Sequence, residues 1–492
     1  MKRVLLLLVL LVFCLPSSGQ GFELFRSRSA KTMKKYSYQK ELTMRQYRER
    51  QNAVYTDFLR GSWEKMGAFA GTPKPLEREI PPVIPDDEPI PLPEDKSIPF
   101  KESAPVPEPA PSPAPAYPIE EVPAPQSASV TFDFYGTPCT VRHPDMPHIR
   151  SFSEKGVADL WYAFSKQEFD NLLYDCLYLR NSLSLCDFAY VKLAEKLSGK
   201  LYGSDSCADA VVLQGYILTS SGFRLYFARD DSDTLHKLLA TDRDIYYYPY
   251  LVVGGQRCYF LEHPEGNSFR VMSKALEGTA PMSMDIRTEI RFAPGPTSGR
   301  EVAARDYPEA SANVVVNRNL IDFYNDYPES YTGDDFTSRW SLYANTPMSE
   351  SVRQTLYPSL QAAVQGKTEL ESVNILLNFV QTSFEYGYDS EIWGRDRAFF
   401  ADETLFYPKS DCEDHAILFT RLVRDILGLD VALLYYPNHL AAAVHFPGGA
   451  IGDYVTLDGR KFVVCDPTIT RGAPAGVTMS GLDNSVVVAI PL

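Results

Sequence analysis

From Ser153 onward, apolar and polar positions alternate in blocks that switch between helical and strand periods. Apolar residues at helical spacing predict helices over Ser153 to Phe164, Lys166 to Arg180, Leu185 to Leu197 and Cys207 to Gly222. Strand-like runs follow at Phe223 to Ala228, Leu235 to Ala240, Ile245 to Val253 and, after Gly254-Gly255, Arg257 to Glu262. Asp285 to Phe292 and Ala312 to Val316 alternate like strands around the loop residues Gly295-Pro296. Further helices are predicted over Ser349 to Val364 and Thr368 to Phe384. The second opens with the capping box Thr368/Glu371 and carries Leu370, Val373, Leu377, Val380 and Phe384 on one stripe, which reads as core. Ser410 with Glu413 reads as another capping box, so a helix is expected from Asp411 to Leu427, stopped by Gly428. Leu440 to Val444 reads as a strand. Tyr454 to Leu457, the turn Asp458-Gly459 and Arg460 to Asp466 read as a hairpin.

The same order of elements occurs twice. Cys207 precedes Gly222 by 15 residues and Cys412 precedes Gly428 by 16. Cys207, His236 and Glu262 are separated by 29 and 26 residues, and Cys412, His439 and Asp466 by 27 and 27. The expected fold class is therefore α+β, with helices packed on an antiparallel sheet. Residues 127–282 are expected to be a divergent copy of residues 336–492, joined through a β-rich connector at 283–335. The first copy is expected to be catalytically silent, because His236 sits in Leu235-His236-Lys237 without an Asn-His context.

The first quarter of the chain reads differently. Residues 1–19 have the pattern of a signal peptide: Lys2-Arg3, an apolar run from Val4 to Leu15, and Ser17-Ser18-Gly19. The protein is thus expected to be exported, to a periplasm or beyond the cell. Residues 20–72 are basic and aromatic, and a helix there would suit contact with an envelope or membrane surface or an acidic body; a plain solvated helix fits equally. About half of the 37 prolines fall between Pro73 and Pro125, so residues 73–126 read as an extended linker of up to about 150 Å. The formal net charge of −15 argues against a general nucleic-acid partner. Cys139, Cys176, Cys186, Cys207, Cys258 and Cys465 are even in number, and export permits disulfides without fixing a pairing.

The richest chemistry lies between Pro408 and Pro467. Cys412 in the first turn of a helix meets unpaired N–H groups and the positive end of the helix dipole, which favour a thiolate and could stabilise an oxyanion. Asp411, Glu413 and Asp414 oppose a further negative charge, so a basic partner is needed, and Arg395 or Arg397 could offset the acids. Three histidines compete. His415 is on the same helix and reads as structural. His439 and His445 flank one strand about 20 Å apart, so only one reaches the thiol. Asp466 ends the hairpin, where a carboxylate can orient an imidazole. Metal binding by Cys412 and His415 lacks a second ligand pair.

Cysteine at a helix start, histidine opening a strand and Asp466-Pro467-Thr468 ending the next hairpin resemble the transglutaminase-like superfamily of papain-like cysteine enzymes, of the exported bacterial type. The resemblance covers Thr368 to Thr468 and implies a catalytic triad of Cys412, His439 and Asp466. It departs at Leu440, where an aromatic often stands. It implies acyl transfer on amide bonds of a protein or peptide, by hydrolysis (protease, peptidase or deamidase) in preference to cross-linking, with no metal or organic cofactor. The alternative is a binding or scaffold protein that uses this fold without turnover.

Overall fold

The computed structural model describes residues 44–75, 89–103, 111–116, 118–123, 128–483, 485 and 487–492. The signal-peptide reading and the basic run before residue 44 lie outside these. The chain divides into two units, Met1–Asp57 and Phe58–Leu492. Of the first, residues 44–57 are described and helical, in a helix that runs to residue 60.

The second unit is mixed α+β and holds two six-stranded sheets. In the first, the strands lie in the order Glu64–Gly67, Ser268–Val271, Leu225–Asp230, Leu235–Ala240, Gln256–Tyr259, Tyr250–Val253. In the second, the order is Phe100–Glu102, Val487–Pro491, Val431–Tyr436, His439–His445, Arg460–Cys465, Tyr454–Leu457. Position by position these are the same arrangement: an edge strand from the N-terminal region, the last strand of the half, the two strands after the central helix, then a hairpin. One pairing differs. Glu64–Gly67 joins its sheet antiparallel, whereas Phe100–Glu102 joins parallel.

Each sheet carries a central helix, Ala208–Ser220 in the first half and Cys412–Leu422 in the second, packed on the two strands that follow it. From Ala210 to Ser220 every residue of the first is buried, and so is every residue of the second. A helix covered all round should be apolar throughout. The first largely is, but the second buries Cys412, Glu413, Asp414 and His415 in its first turn. Polar groups there must be satisfied or retained for chemistry.

Several sequence expectations hold residue by residue. Ser153 caps Glu154–Phe164 by accepting from the Gly156 N–H, and Thr368 and Glu371 form the capping box of Glu369–Ser383. Asp458 and Gly459 both have positive φ, 47° and 72°, as a two-residue hairpin of this twist requires. Others shift. The capping box before Cys412 is Asp411/Asp414, one residue later than Ser410/Glu413, because Ser410 is spent in a short parallel pairing of Lys409–Ser410 with Glu385–Tyr386. The α-helix ends at Leu422, and Val423–Leu427 continue as one π turn. Asp285 to Phe292 form no strand: Ile286, Ile290 and Phe292 are buried, so the alternation reports burial without a ladder partner. Ser311–Val314 instead pairs with Arg300–Ala303.

The largest revision concerns the Pro-rich stretch. Read as a free linker, its described parts are strapped onto the body. Lys74 is buried in an ion cluster, and Ile90 packs against Ile469, Ala473, Val477 and Met479. Ile98 joins the core of the second sheet, and Phe100–Glu102 adds its edge strand. Proline is compatible with this, because an edge strand needs hydrogen bonds on one side only. Likewise, residues 20–72 are not helical throughout: Glu64–Gly67 is a strand. All seven described cysteines are free thiols, so none of the described cysteines forms a disulfide.

The candidate triad and its buried supports

The hairpin between Val431–Tyr436 and His439–His445 turns on Pro437 and Asn438, and Asn438 takes φ 64°, a conformation asparagine tolerates better than most residues. This fixes His439 directly opposite Tyr436 at the start of its strand. His439 Nε2 lies 2.9 Å from Asp466 Oδ2. The other oxygen, Oδ1, accepts from the Thr468 N–H at 3.1 Å and the Thr468 hydroxyl at 2.6 Å. That is the physical content of Asp466-Pro467-Thr468: threonine turns back to hold the carboxylate that holds the imidazole. Burial would raise the Asp466 pKa, but His439 and then Thr468 outweigh it and keep the carboxyl below its ordinary value. With Nε2 bonded to a carboxylate acceptor, the proton belongs on Nε2, and Nδ1 is left as the basic nitrogen. Nδ1 is buried and has no hydrogen-bond partner among the described residues.

Cys412 is the first residue of the central helix, which packs on the strand that His439 opens. A second link ties this helix to the Asp466 loop. His415, one turn after Cys412, has Nδ1 3.2 Å from the Pro467 carbonyl and Nε2 2.9 Å from Ser410 Oγ. The carbonyl can only accept, so Nδ1 carries the proton and Nε2 accepts from the serine hydroxyl. His415 is therefore structural, as its position on the helix suggested. His445 is also placed away from the triad: its Nδ1 lies 3.0 Å from the Lys461 carbonyl, at the far end of the strand.

Burial, offset in part by the Pro467 carbonyl, pulls the His415 pKa down to about 4. The unfolded chain takes up this proton near 6.5 and the folded chain withholds it, so His415 stabilises fully above pH 6.5 and progressively less toward pH 4. Asp402 and Glu403, raised by burial to about 6 and about 7, act with the opposite sign, so parent and variant must be compared. The cost of His415→Gln in urea unfolding is expected to shrink by roughly 2–3 kcal/mol between pH 7 and pH 4.5. A cost independent of pH would contradict the buried neutral imidazole.

Other supports were not singled out from sequence. Gln381, fully buried on Glu369–Ser383, donates to the Asp466 carbonyl at 2.8 Å and the Ala473 carbonyl at 3.1 Å and accepts from the Ala473 N–H. It clamps the backbone of the triad aspartate. A glutamine inside an otherwise apolar stripe was the available signal. The cation expected of Arg395 or Arg397 comes from elsewhere. Arg397 pairs with Glu403, and both arginines line a cavity of about 200 Å³ with Tyr247, Tyr248 and Phe400. Lys74 and Arg339 supply that cation one carboxylate away, at Asp396 beside Glu413: Lys74 Nζ lies 2.5 Å from Glu329 Oε2 and 3.1 Å from Asp396 Oδ1, and Arg339 Nη2 lies 3.1 Å from Asp396 Oδ2.

The acids around Cys412 are unlike the charged neighbours the sequence suggested. Asp411 and Asp414 cap the helix reciprocally. Burial first, and then neighbouring carboxylates, push Glu413 and Asp414 far above the ordinary range. Neutral acids do not repel a thiolate, so the objection raised by three flanking acids weakens. Carboxylate oxygens of Asp389, Asp396 and Glu413 lie within 4.8 Å of one another, the only such grouping besides Asp411, Cys412 and Glu413 among the described residues. Lys74 and Arg339 already supply positive charge at Asp396.

In the first half the His-acid pair recurs with a different outcome. His236 Nδ1 lies 2.7 Å from Glu262 Oε1, and His236 Nε2 lies 3.1 Å from Asp230 Oδ2. Burial lowers the His236 pKa, but the two carboxylates outweigh it and raise it. Both ring nitrogens are occupied, so neither is left to accept a proton from a thiol. Cys207, at the N-cap of its helix, instead donates to the Ser204 carbonyl at 3.4 Å. Comparison of the chain with family models, with curated proteins and with solved structures finds no match.

Proposed function

We propose that this chain is an exported cysteine enzyme with a transglutaminase-like core, performing acyl transfer on amide bonds of a protein or peptide. The observation that carries the reading is the state of His439: one nitrogen fixed by Asp466, the other buried and without a hydrogen-bond partner among the described residues, on the strand against which the Cys412 helix packs. In this reading His439 Nδ1 takes the thiol proton, Cys412 Sγ attacks the amide carbonyl, and N–H groups at the helix start stabilise the oxyanion. The imidazolium returns its proton to the leaving amine, and a thioester remains on Cys412. Water then gives hydrolysis, which we favour; a primary amine would give a cross-link. The first half is a divergent copy of the core with no turnover, since its histidine is held between two carboxylates. Export and contact of the basic N-terminal segment with an envelope surface belong to the same reading.

A specific observation favours a second reading, a binding or scaffold protein: Cys412, His439 and Asp466 are only 3%, 1% and 2% exposed. The readings separate by trapping. Incubation with a panel of peptide amides and esters, followed by mass spectrometry, is expected to find an acyl adduct on Cys412 that water discharges. Added amine distinguishes hydrolysis from transfer. No adduct with any substrate, while the thiol remains alkylatable, would favour the scaffold.

A further inference from the structure

The residue after the nucleophile has an environment that the triad does not explain. Glu413 is 4% exposed, and the Cys412 thiol donates to its Oε2 at 3.6 Å, a long contact of the kind sulfur makes. Its Oε1 is buried and receives no donor among the described residues. Asp396, from the loop before the Cys412 helix, brings a carboxylate oxygen within 4.8 Å of one of Glu413's. Two carboxylates are both acceptors, so they bond only through a proton held between them.

The surroundings decide where the proton resides. Asp396 is gripped by Lys74 on one oxygen and Arg339 on the other, both at 3.1 Å, while at Glu413 burial and the Asp396 and Asp389 carboxylates outweigh the pull of Arg339. Asp389 adds negative charge beside Glu413, and Glu329 lies across Lys74. The ionised partner is therefore Asp396 and the protonated one Glu413.

We propose that Glu413 is a positioning residue for the nucleophile: a neutral carboxylic acid, held by Asp396 on one side and taking the Cys412 thiol on the other. It orients the sulfur without setting a second negative charge against it. The chain of contacts runs from Lys74 and Arg339 through Asp396 and Glu413 to Cys412. A residue of the Pro-rich strap is thereby connected to the thiol. This inference rests on Cys412 being the nucleophile of the proposed function.

The test is the rate of Cys412 alkylation by iodoacetamide against pH in the full chain, for the parent, Glu413→Gln, Glu413→Ala and His439→Ala. Glutamine keeps the shape and neutrality of a protonated glutamate, so Glu413→Gln is expected to retain the parent's pH profile. Glu413→Ala removes the acceptor that holds the thiol proton, so it is expected to label roughly two- to tenfold faster near pH 6, the loss of one neutral hydrogen bond that favours the thiol over the thiolate. If Glu413 were ionised, glutamine would remove a charge from beside the sulfur, and labelling would run about tenfold faster or more; that result overturns the proposal. So does a Glu413→Ala profile equal to the parent's. Should Glu413→Ala fail to fold, the Glu413→Gln profile decides. A profile unchanged in His439→Ala would instead sink the Cys-His reading itself, so the two failures are told apart.

Discussion

Asp466→Asn is expected to lower turnover by roughly 10⁴-fold while leaving the fold intact. The argument is one of donors and acceptors. Thr468 offers two donors, its N–H and its hydroxyl, to Asp466 Oδ1. In the variant only the amide oxygen can accept them, so the amide NH₂ is turned toward His439 Nε2. That nitrogen must then accept, and the imidazole proton moves to Nδ1, the atom that in the proposed mechanism takes a proton from Cys412. The side chain is nearly the same size and keeps its bonds, so the thermal midpoint should move little. With the base lost, Cys412 reverts toward an ordinary thiol of pKa about 8.5, and its alkylation near pH 6 should fall roughly a hundredfold. A variant that labels and turns over like the parent would show that the His439–Asp466 pair is ornamental to the chemistry.

The second large effect is on stability and comes from a position that composition assigns to a linker. Lys74→Met removes a side chain only 1% exposed that meets Glu329 and Asp396. Methionine fills much the same space but leaves two largely buried carboxylates short of their cation, with Arg339 alone to offset them. Breaking such a pair from one side costs about 3–5 kcal/mol, because the desolvation of the remaining charge is no longer offset. Urea unfolding near pH 7 should show that loss. A change under about 1 kcal/mol would mean that the cluster behaves as a surface ion pair and that the strap is not held there.

The contrast between Lys74 and Asp466 shows what the sequence could convey. His439, Asp466 and the Asp458-Gly459 turn were legible because each is fixed by neighbours in sequence: a two-residue turn sets the histidine at a strand start, and the hairpin delivers the aspartate to its end. Thr368 and Glu371 announced their helix for the same reason. The repeated order of helix and strands was legible as spacing, and the two sheets share one strand order. What sequence could not convey was long-range pairing. Nothing in Phe100-Lys101-Glu102 marks it as an edge strand for Val487–Pro491. Nothing in Lys74 marks it as the counter-ion of Asp396. The alternation from Asp285 to Phe292 read as a strand, yet it buries Ile286, Ile290 and Phe292 without a ladder, because period alone does not say whether a partner strand exists. The acids beside Cys412 misled in another way: a sequence displays carboxyl groups without their protonation, and burial decides that.

The central claim is that Cys412 and His439 act as an activated pair, and the pH dependence of Cys412 alkylation, followed by mass spectrometry, tests it most directly. Parent, His439→Ala and His445→Ala proteins are labelled across pH 5 to 9. The account predicts rapid labelling near pH 6 that His445→Ala keeps and His439→Ala loses. Labelling that rises only near pH 8.5, whichever histidine is replaced, would contradict it and leave a buried thiol on a scaffold.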